Sequence, residues 1–525
     1  MAKFNIRLNN TTLLLVAAAL YVVGCPPIGW WPFSFIGFSI FLRVLLVNSQ
    51  SPGRTAFCFF MFPFGCYVFG FYWVAVAMQN LFDLGWLISI GFTIAFCAAY
   101  AGIASLGGIF WAIISKYIST VVYDQRLLRF FALFAFLMIW DTIVPKPANW
   151  SYQMVIGTSE WLLSSMSVVG SEGWWIVFLV ASIALANLTI DKSKWRFAGE
   201  TVLILAVVYS IGGTIGYLNT KHLQQQYTSV QPVSLIQDNV FITKRDVAAQ
   251  TGSNTFFNQL LKTTAVHQQL VREIEDHYKN NSDQAAFTRA PVVIWPENSM
   301  LTDIINDRNA RARAVWWARR TGGIHFVGGS ERTTVQFGRN EFPARYNVIA
   351  QFSKDGYLNH YRKQIPIPWG EYIPGGKMFP QLYEYIPEFL ISVPGDELTV
   401  LADPSPEGPV FVPVICYEIL FSSHLRKFVA EAKKKYPDRS IVLIHLASDG
   451  WFGNTTNPYF QAFIARWQAA SLGLPLLRVS NTGFSEVIAP WGKVLHSAPR
   501  NQSAVIFGEV PLLSTEKQRT QRNKS

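Results

Sequence analysis

The chain has 525 residues, half of them hydrophobic and 15% charged, with a formal net charge of +11. Soluble domains carry about 25% charged residues, so a wholly soluble protein is excluded, and the length calls for two or more domains. The positive balance does not indicate nucleic acid, because no basic stripe or nucleic-acid motif appears and much of the charge lies in loops between apolar runs. Residues 1–220 are sparse in charge, whereas residues 221–525 have ordinary soluble composition. This asymmetry predicts a multi-span membrane domain over 1–220, a polar connector over 221–231, a globular domain with its own core over 232–512, and a basic polar tail over 513–525.

A helix that crosses a bilayer needs roughly 20 apolar residues. Seven stretches are candidates, at about 10–25, 33–48, 55–79, 85–115, 127–145, 172–190 and 199–219. The first two are short, and Gly24-Cys25-Pro26-Pro27 ends the first abruptly. Trp30, Trp31, Trp150, Trp174 and Trp175 fall at segment ends, where interfacial aromatics belong. Lys3 and Arg7, Arg54, then Lys116, Arg126 and Arg129, and finally Lys192, Lys194 and Arg196 lie in alternate loops, while the other loops carry Lys146 alone. That bias predicts a cytoplasmic N-terminus, and an odd number of spans then places residues 221–525 on the outer side. Lys3, Arg7, the apolar run and Cys25 also fit a secretory signal of lipoprotein type. The six later spans favour a retained first helix, and cleavage there would leave the outer location unchanged.

In the polar half, strand-like runs recur at 233–237, 291–295, 324–328, 346–352, 411–416, 441–446, 476–480 and 485–489. Helical stretches at 255–278, 303–320, 422–435 and 458–472 interleave with them. Strands alternating with helices predict an α/β fold.

Three segments of this half carry chemistry. Pro291-Val-Val-Ile-Trp295-Pro296-Glu297 is a buried strand stopped by a proline, which leaves Glu297 at its C-terminal edge; a simple helix cap reads equally well there. Asn359 to Pro374 places Lys363 among aromatics and prolines, with Glu371 eight residues on; the prolines preclude a regular helix and make a rigid loop. Arg362 and Lys363 alone would be ordinary surface charges. Val412-Pro-Val-Ile-Cys416-Tyr417-Glu418 delivers a cysteine to a strand end, a usual ligand position in α/β sheets. Cys25, Cys58, Cys66 and Cys97 all lie in or beside the apolar half, so Cys416 is the lone thiol of the polar half. Most free cysteines are merely small buried hydrophobes. Together, however, the three groups make sense: Glu297 as base for the thiol, and Lys363 with a backbone N–H after Cys416 to stabilise an oxyanion. A Cys–His pair using His360 or His445 is the other arrangement available. No metal motif occurs and no cofactor is expected. Ser448 to Asn454 and Ser480 to Gly483 read as turns that form scaffolding or pocket walls.

These residues resemble the nitrilase, or carbon–nitrogen hydrolase, superfamily, through the Trp-Pro-Glu segment at Glu297, the Tyr-Arg-Lys segment at Lys363, Gly370-Glu371, and the Ile-Cys-Tyr-Glu segment at Cys416, in that order. The resemblance implies an α-β-β-α sandwich with a Glu297–Lys363–Cys416 triad. Fused behind seven spans, the whole chain resembles the apolipoprotein N-acyltransferases of bacterial envelopes. That implies a two-step transfer, in which Cys416 takes an acyl chain from a phospholipid as a thioester and passes it to the α-amino group of a diacylglyceryl-cysteine lipoprotein. Glu371 would support the site, and Tyr417 and Glu418 follow the nucleophile as in the family. An apolar cleft lined by Trp369, Trp451 and Phe452 would keep water from the thioester. The expected partners are membrane lipids, a phospholipid donor and a diacylated lipoprotein acceptor, and the expected location is the bacterial inner membrane with the domain on the periplasmic side; a monomer is expected.

The sequence departs from that family at three places: a basic tail after Pro511 in place of a final membrane helix, Ser448-Asp449-Gly450 where Asn-Asp-Ala is usual, and Ser471 where Glu is expected. Two alternatives are a membrane-tethered amidase using the same triad, and a non-enzymatic transporter or scaffold. For a transporter, charges inside spans would mark the path, and only Asp141 and Arg43 approach that description.

Overall fold

The computed structural model describes residues 9–514 apart from 122–124, 192–193, 241–253, 281–288, 301, 338–339, 377, 380 and 382–390. Contacts divide the chain into two units, one of Met1–Gln79, Leu84–Asn219 and Asn454–Phe463, the other of Asn80–Asp83, Thr220–Gly453 and Ile464–Ser525.

Every stretch proposed as a span contains helix, but not every helix is long and apolar enough to cross a bilayer. Among the described residues three are: Trp86–Ser119, Met166–Asn187 and Gly199–Gln226. A fourth is the pair Pro52–Gly70 and Trp73–Phe82, bent by 57° at a short break. Helices Asn10–Val23 and Trp31–Val47, of 14 and 17 residues, reach about 21 and 26 Å, short of a core of roughly 30 Å. Helix Gln125–Ile143 contains Arg126, Arg129 and Asp141. Small residues let these helices approach closely. A β-carbon on Gly108 would meet the Thr55 carbonyl oxygen at 2.3 Å, and Thr55 Oγ1 donates to the Gly108 carbonyl at 2.7 Å.

One expectation for this unit needs correction. Of the five tryptophans assigned to interfaces, only Trp30 is exposed; Trp31, Trp150, Trp174 and Trp175 are buried. Packing and hydrogen bonding account for this: Trp150 Nε1 donates to Tyr21 Oη, and Trp174 Nε1 to Ser165 Oγ. Asp141 is paired: Lys146 Nζ lies 3.0 Å from it and Ser151 also donates to it. Lys3, Arg7 and Lys192 lie outside the described residues, as do the side chains of Arg126, Lys194 and Arg196.

The second unit holds two six-stranded sheets. In the first the order is β12 (Ala504–Leu512), β1 (Ser229–Gln237), β2 (Val292–Ile294), β3 (Ile324–Phe337), β4 (Asn340–Ser353), β5 (Gly356–Arg362). Strands β1, β2 and β3 are parallel, while β12, β4 and β5 join antiparallel. In the second the order is β11 (Val494–Ser497), β10 (Glu486–Ile488), β9 (Leu476–Ser480), β8 (Ile441–Ala447), β7 (Val410–Ile415), β6 (Leu401–Ala402), with β7, β8 and β9 parallel. The sheets face one another, with the rings of Phe326 and Phe411 4.7 Å apart and Gln351 Nε2 donating to the Ala402 carbonyl.

Helices cover the outer faces through apolar stripes. Leu425, Phe428, Val429 and Ala432 are the buried positions of Ser422–Lys435, a spacing of three and four residues. On the first sheet, Leu270, Val271 and Ile274 of helix Asn254–Asn280 and Ala314 and Trp317 of helix Arg308–Thr321 share a core with Val293, Trp295, Val327 and Val348. That second helix starts at Arg308 and not at 303, because Asp307 accepts from the Asn309 and Ala310 amides and caps it. The polar stretch 221–231 is not a connector: helix Lys194–Gln226 continues through most of it and β1 begins at Ser229. Of the expected tail 513–525, residues 515–525 lie outside the described residues.

Candidate active site

Strand direction brings the three expected groups to one edge. β2 and β7 are parallel strands, so Glu297 and Cys416 follow their C-terminal ends. β5 is two antiparallel steps from β3, which restores the same direction and delivers Lys363. The turn at Glu297 is pinned from several sides. The Trp295 amide donates to the Phe326 carbonyl, its indole N–H to His325 Nδ1, and its ring stacks on Trp317 at 3.9 Å. Glycine is needed opposite this turn, since a β-carbon on Gly328 would meet the Pro296 carbonyl oxygen at 2.3 Å.

Lys363 is buried, and its ammonium lies 2.7 Å from Glu371 Oε2 and 4.0 Å from Glu297 Oε1. Glu371 Oε2 also accepts from the Ile367 amide, which closes the proline-rich loop on itself. Asn347, in the middle of β4, donates from Nδ2 to Glu297 Oε1 at 2.7 Å and lies 3.4 Å from Glu371 Oε1. The second oxygen of Glu297 is buried and has no partner besides the adjacent Cys416 thiol. A buried carboxylate oxygen left open beside a thiol is an available proton acceptor.

The electrostatics follow from burial and charge pairing. Burial raises the Glu297 carboxyl above its ordinary range and Glu371 adds to that, against the pull of Lys363. Glu371 is buried too, yet the Lys363 charge and hydrogen bond hold it below the ordinary range. Burial works against the Lys363 ammonium, but Glu371 and Glu297 outweigh it and keep the lysine charged. Burial and the Glu297 charge push the Cys416 thiol up, opposed by Lys363. Cys416 is therefore held toward its thiol form, beside a glutamate whose proton affinity is raised.

Cys416 has φ of +48°, in the left-handed region that non-glycine residues seldom occupy. The short 3₁₀ turn Cys416–Leu420 that follows is held by Glu418. Its Oε1 accepts from Tyr361 Oη and from the Gln364 and Ile365 amides, and its Oε2 accepts from the Ile415 amide. Glu418 thus ties the strand end at Cys416 to the segment after Lys363. Tyr417 packs its ring 5.1 Å from Phe421. Arg362 is not a free surface charge, since it pairs with both oxygens of Glu331 at 2.7 Å over the Tyr346 ring.

The Cys–His alternative fails on geometry. Arg478 and Asp449 are buried and paired at 2.6 Å, and Arg478 Nη1 lies 3.2 Å from His445 Nδ1. Arginine only donates, so Nδ1 accepts and Nε2–H donates to the Cys416 carbonyl at 3.1 Å. His445 therefore grips the backbone of Cys416 and faces away from a base's task. His360 is engaged by Tyr357 Oη at 2.5 Å. The turns at Asp449 and Asn481 are scaffolding, as expected: Asp449 anchors the arginine, and Asn481 donates to Ser448 Oγ. Trp369 lies half-exposed on the Glu371 loop, and Trp451 and Phe452 sit partly buried in the 3₁₀ turn that starts at Asp449. Asn347, His445, Arg478 and Asp449 were not singled out for the site as polar partners; a lone polar residue inside an otherwise apolar strand is the signal that marks His445.

Residues 259–520 match the carbon–nitrogen hydrolase family model, and residues 17–145 match that of the apolipoprotein N-acyltransferase N-terminal domain. The chain is 24% identical to the apolipoprotein N-acyltransferase of Rhodopseudomonas palustris, an alignment covering 96% of this chain and 90% of the relative. It is 26% identical to that of Bradyrhizobium diazoefficiens, covering 96% and 89%. With that of Vibrio cholerae it shares 23% identity, covering 96% and 93%.

Proposed function

Because the chain belongs to the apolipoprotein N-acyltransferases of the carbon–nitrogen hydrolase superfamily, we propose that it moves an acyl chain from a membrane phospholipid, through a thioester on Cys416, to the N-terminal amine of a diacylglyceryl-cysteine lipoprotein. The observation that carries this reading is the meeting of a buried thiol after β7 with a carboxylate after β2 and a paired ammonium after β5 of the facing sheet. In the first step Glu297 takes the thiol proton and the sulfur attacks the ester carbonyl. The oxyanion faces Lys363 and the amide N–H of Tyr417. The carbon–oxygen bond breaks, and the lysophospholipid oxygen leaves with the proton that Glu297 returns. In the second step the lipoprotein amine attacks the thioester, Glu297 takes a proton from nitrogen, and the carbon–sulfur bond breaks to give the amide and free Cys416. Glu371 and Asn347 position Lys363 and Glu297.

On this reading the apolar helices form a seven-span domain of the inner membrane, with the shorter helices completing it. The alternating loop charges support a cytoplasmic N-terminus and a catalytic domain, residues 229–512, on the outer side. The enzyme acts as a monomer.

Intact-protein mass after incubating detergent-purified enzyme with phosphatidylethanolamine tests the first step. The expected result is a hydroxylamine-labile acyl adduct that Cys416→Ser lacks. Folded wild-type protein that forms no adduct with several phospholipids would sink the acyltransferase reading and favour amide hydrolysis.

The pH dependence of adduct formation follows from Glu297. A protonated carboxyl cannot accept the thiol proton, so the rate falls as pH drops through its pKa. Burial lifts that pKa, so the acid limb should lie above the ordinary glutamate value of about 4.3. Rate measurements that place the limb at or below that value would contradict the role of Glu297 as base.

A further inference from the structure

A second cation stands near the carboxylates of the site. Arg345 lies on β4 two residues before Asn347, and residues i and i+2 of a strand share a face. Asn347 reaches Glu297 and Glu371 from that face. The Arg345 backbone is fixed from the loop side: its amide donates to the Ile391 carbonyl at 3.0 Å, and its carbonyl accepts from the Val393 amide at 2.9 Å. Ser392, bridged to Arg345, donates its amide to the Glu371 carbonyl at 2.8 Å. The strand position is thus locked beside the carboxylates, while the side chain is left open. Arg345 Nε is buried with no hydrogen-bond partner, and so is Ser392 Oγ.

Three other arginines of this unit have their terminal groups committed, although Arg478 and Arg500 also bury an unpartnered Nε. Arg362 holds Glu331, Arg478 holds Asp449, and Arg439 holds the carbonyls of Asp403, Gly408 and Pro409. Lys363 is likewise taken by Glu371. Arg345 is half-buried, and a guanidinium N–H sheltered from water without its hydrogen bond is costly unless a ligand completes it. The Glu371 and Glu297 charges favour its cationic form against burial.

We propose that Arg345, with Ser392 Oγ, binds the phosphodiester of the acyl donor, an inference that rests on the acyltransferase reading above. The acceptor's end that must approach Cys416 is an amine, which a guanidinium repels. The donor brings an anion, and the planar fork of arginine fits two phosphate oxygens at once. Two residues along a strand advance about 6.8 Å, a reach of the same order as the glycerol backbone between an ester carbonyl and its phosphorus. Arg345 would therefore fix which ester meets the thiol.

The test compares two donors on the full-length protein in detergent: phosphatidylethanolamine, and p-nitrophenyl palmitate, which has no phosphate. Acyl-Cys416 formation is followed by intact mass for the wild type, Arg345→Gln and Arg345→Lys. The ratio of the two rates cancels any general loss of folded protein. Arg345→Gln is expected to lower that ratio, phospholipid over p-nitrophenyl ester, by on the order of tenfold or more, and Arg345→Lys to restore part of it by keeping the charge. An unchanged ratio in Arg345→Gln, whether both rates fall together or neither does, would overturn the proposal. Wild-type enzyme acylated by the p-nitrophenyl ester but not by any phospholipid would instead overturn the acyltransferase reading, and this inference with it.

Discussion

Lys363→Met is expected to slow acylation of Cys416 by about 10³-fold or more and to destabilise the catalytic domain by about 3–5 kcal/mol. The two effects share one cause. Methionine fills the lysine's volume but leaves Glu371 and Glu297, both buried, without the ammonium that lies 2.7 and 4.0 Å from them. Breaking a buried ion pair from one side costs more than the pair is worth, because the orphaned charge stays in a poor solvent. The reaction suffers in addition, since the thiol loses the one neighbour that opposes its raised pKa and the oxyanion loses its charged donor. Single-turnover mass kinetics measures the first effect and thermal unfolding in detergent the second. A variant that unfolds earlier yet acylates Cys416 at the wild-type rate would show that the ammonium serves structure alone.

The second large effect is expected at Glu418. Glu418→Ala should cost about 4 kcal/mol or more, and acylation should fall with it. Four donors lose their acceptor together: the Tyr361 hydroxyl and the amides of Ile415, Gln364 and Ile365. Each buried donor left unsatisfied costs about 1–3 kcal/mol. Glu418, Tyr361 and Ile415 are fully buried, so the hydroxyl and the Ile415 amide carry most of this cost. The same change loosens both the Cys416 turn and the segment leaving Lys363, so the two reacting groups lose their mutual position. Tyr361→Phe, which removes one of the four donors, provides the scale. A melting temperature for Glu418→Ala no lower than that of Tyr361→Phe would show that the carboxylate is not the clamp described.

What could be read from the sequence was whatever lies along one strand and its end. A run of β-formers stopped by Pro296, or by the turn at Tyr417, marks where a strand ends, and a reactive group placed there is legible without knowing its neighbours. The partners of those groups were not legible. Asn347 meets Glu297 from fifty positions away, and nothing near Asn347 announces which face of β4 it occupies. His445 looked like a possible base because histidine often is one; only its two hydrogen bonds, to Arg478 and to the Cys416 carbonyl, exclude it. The misread connector has a similar origin. The Gln-rich stretch 223–226 is polar but compatible with helix, and it simply continues Lys194–Gln226. β12 was unreadable for a different reason: Gly508 and Pro511 argue against a strand locally, yet β1 supplies pairing along all of its length. Membrane crossing was only partly legible, because composition locates apolar helices more readily than it fixes their length.

The left-handed backbone at Cys416 has one further consequence. An L-residue there pays about 1–2 kcal/mol that glycine would not, offset in part by glycine's greater freedom in the unfolded chain, about 0.5–1 kcal/mol. Removing the side chain therefore need not weaken the fold, and Cys416→Gly should fold at least as well as the active enzyme while having no sulfur to acylate. Serine in its place would keep both the distortion and a weak nucleophile. For holding donor and acceptor together long enough to be seen, the glycine form is the better trap.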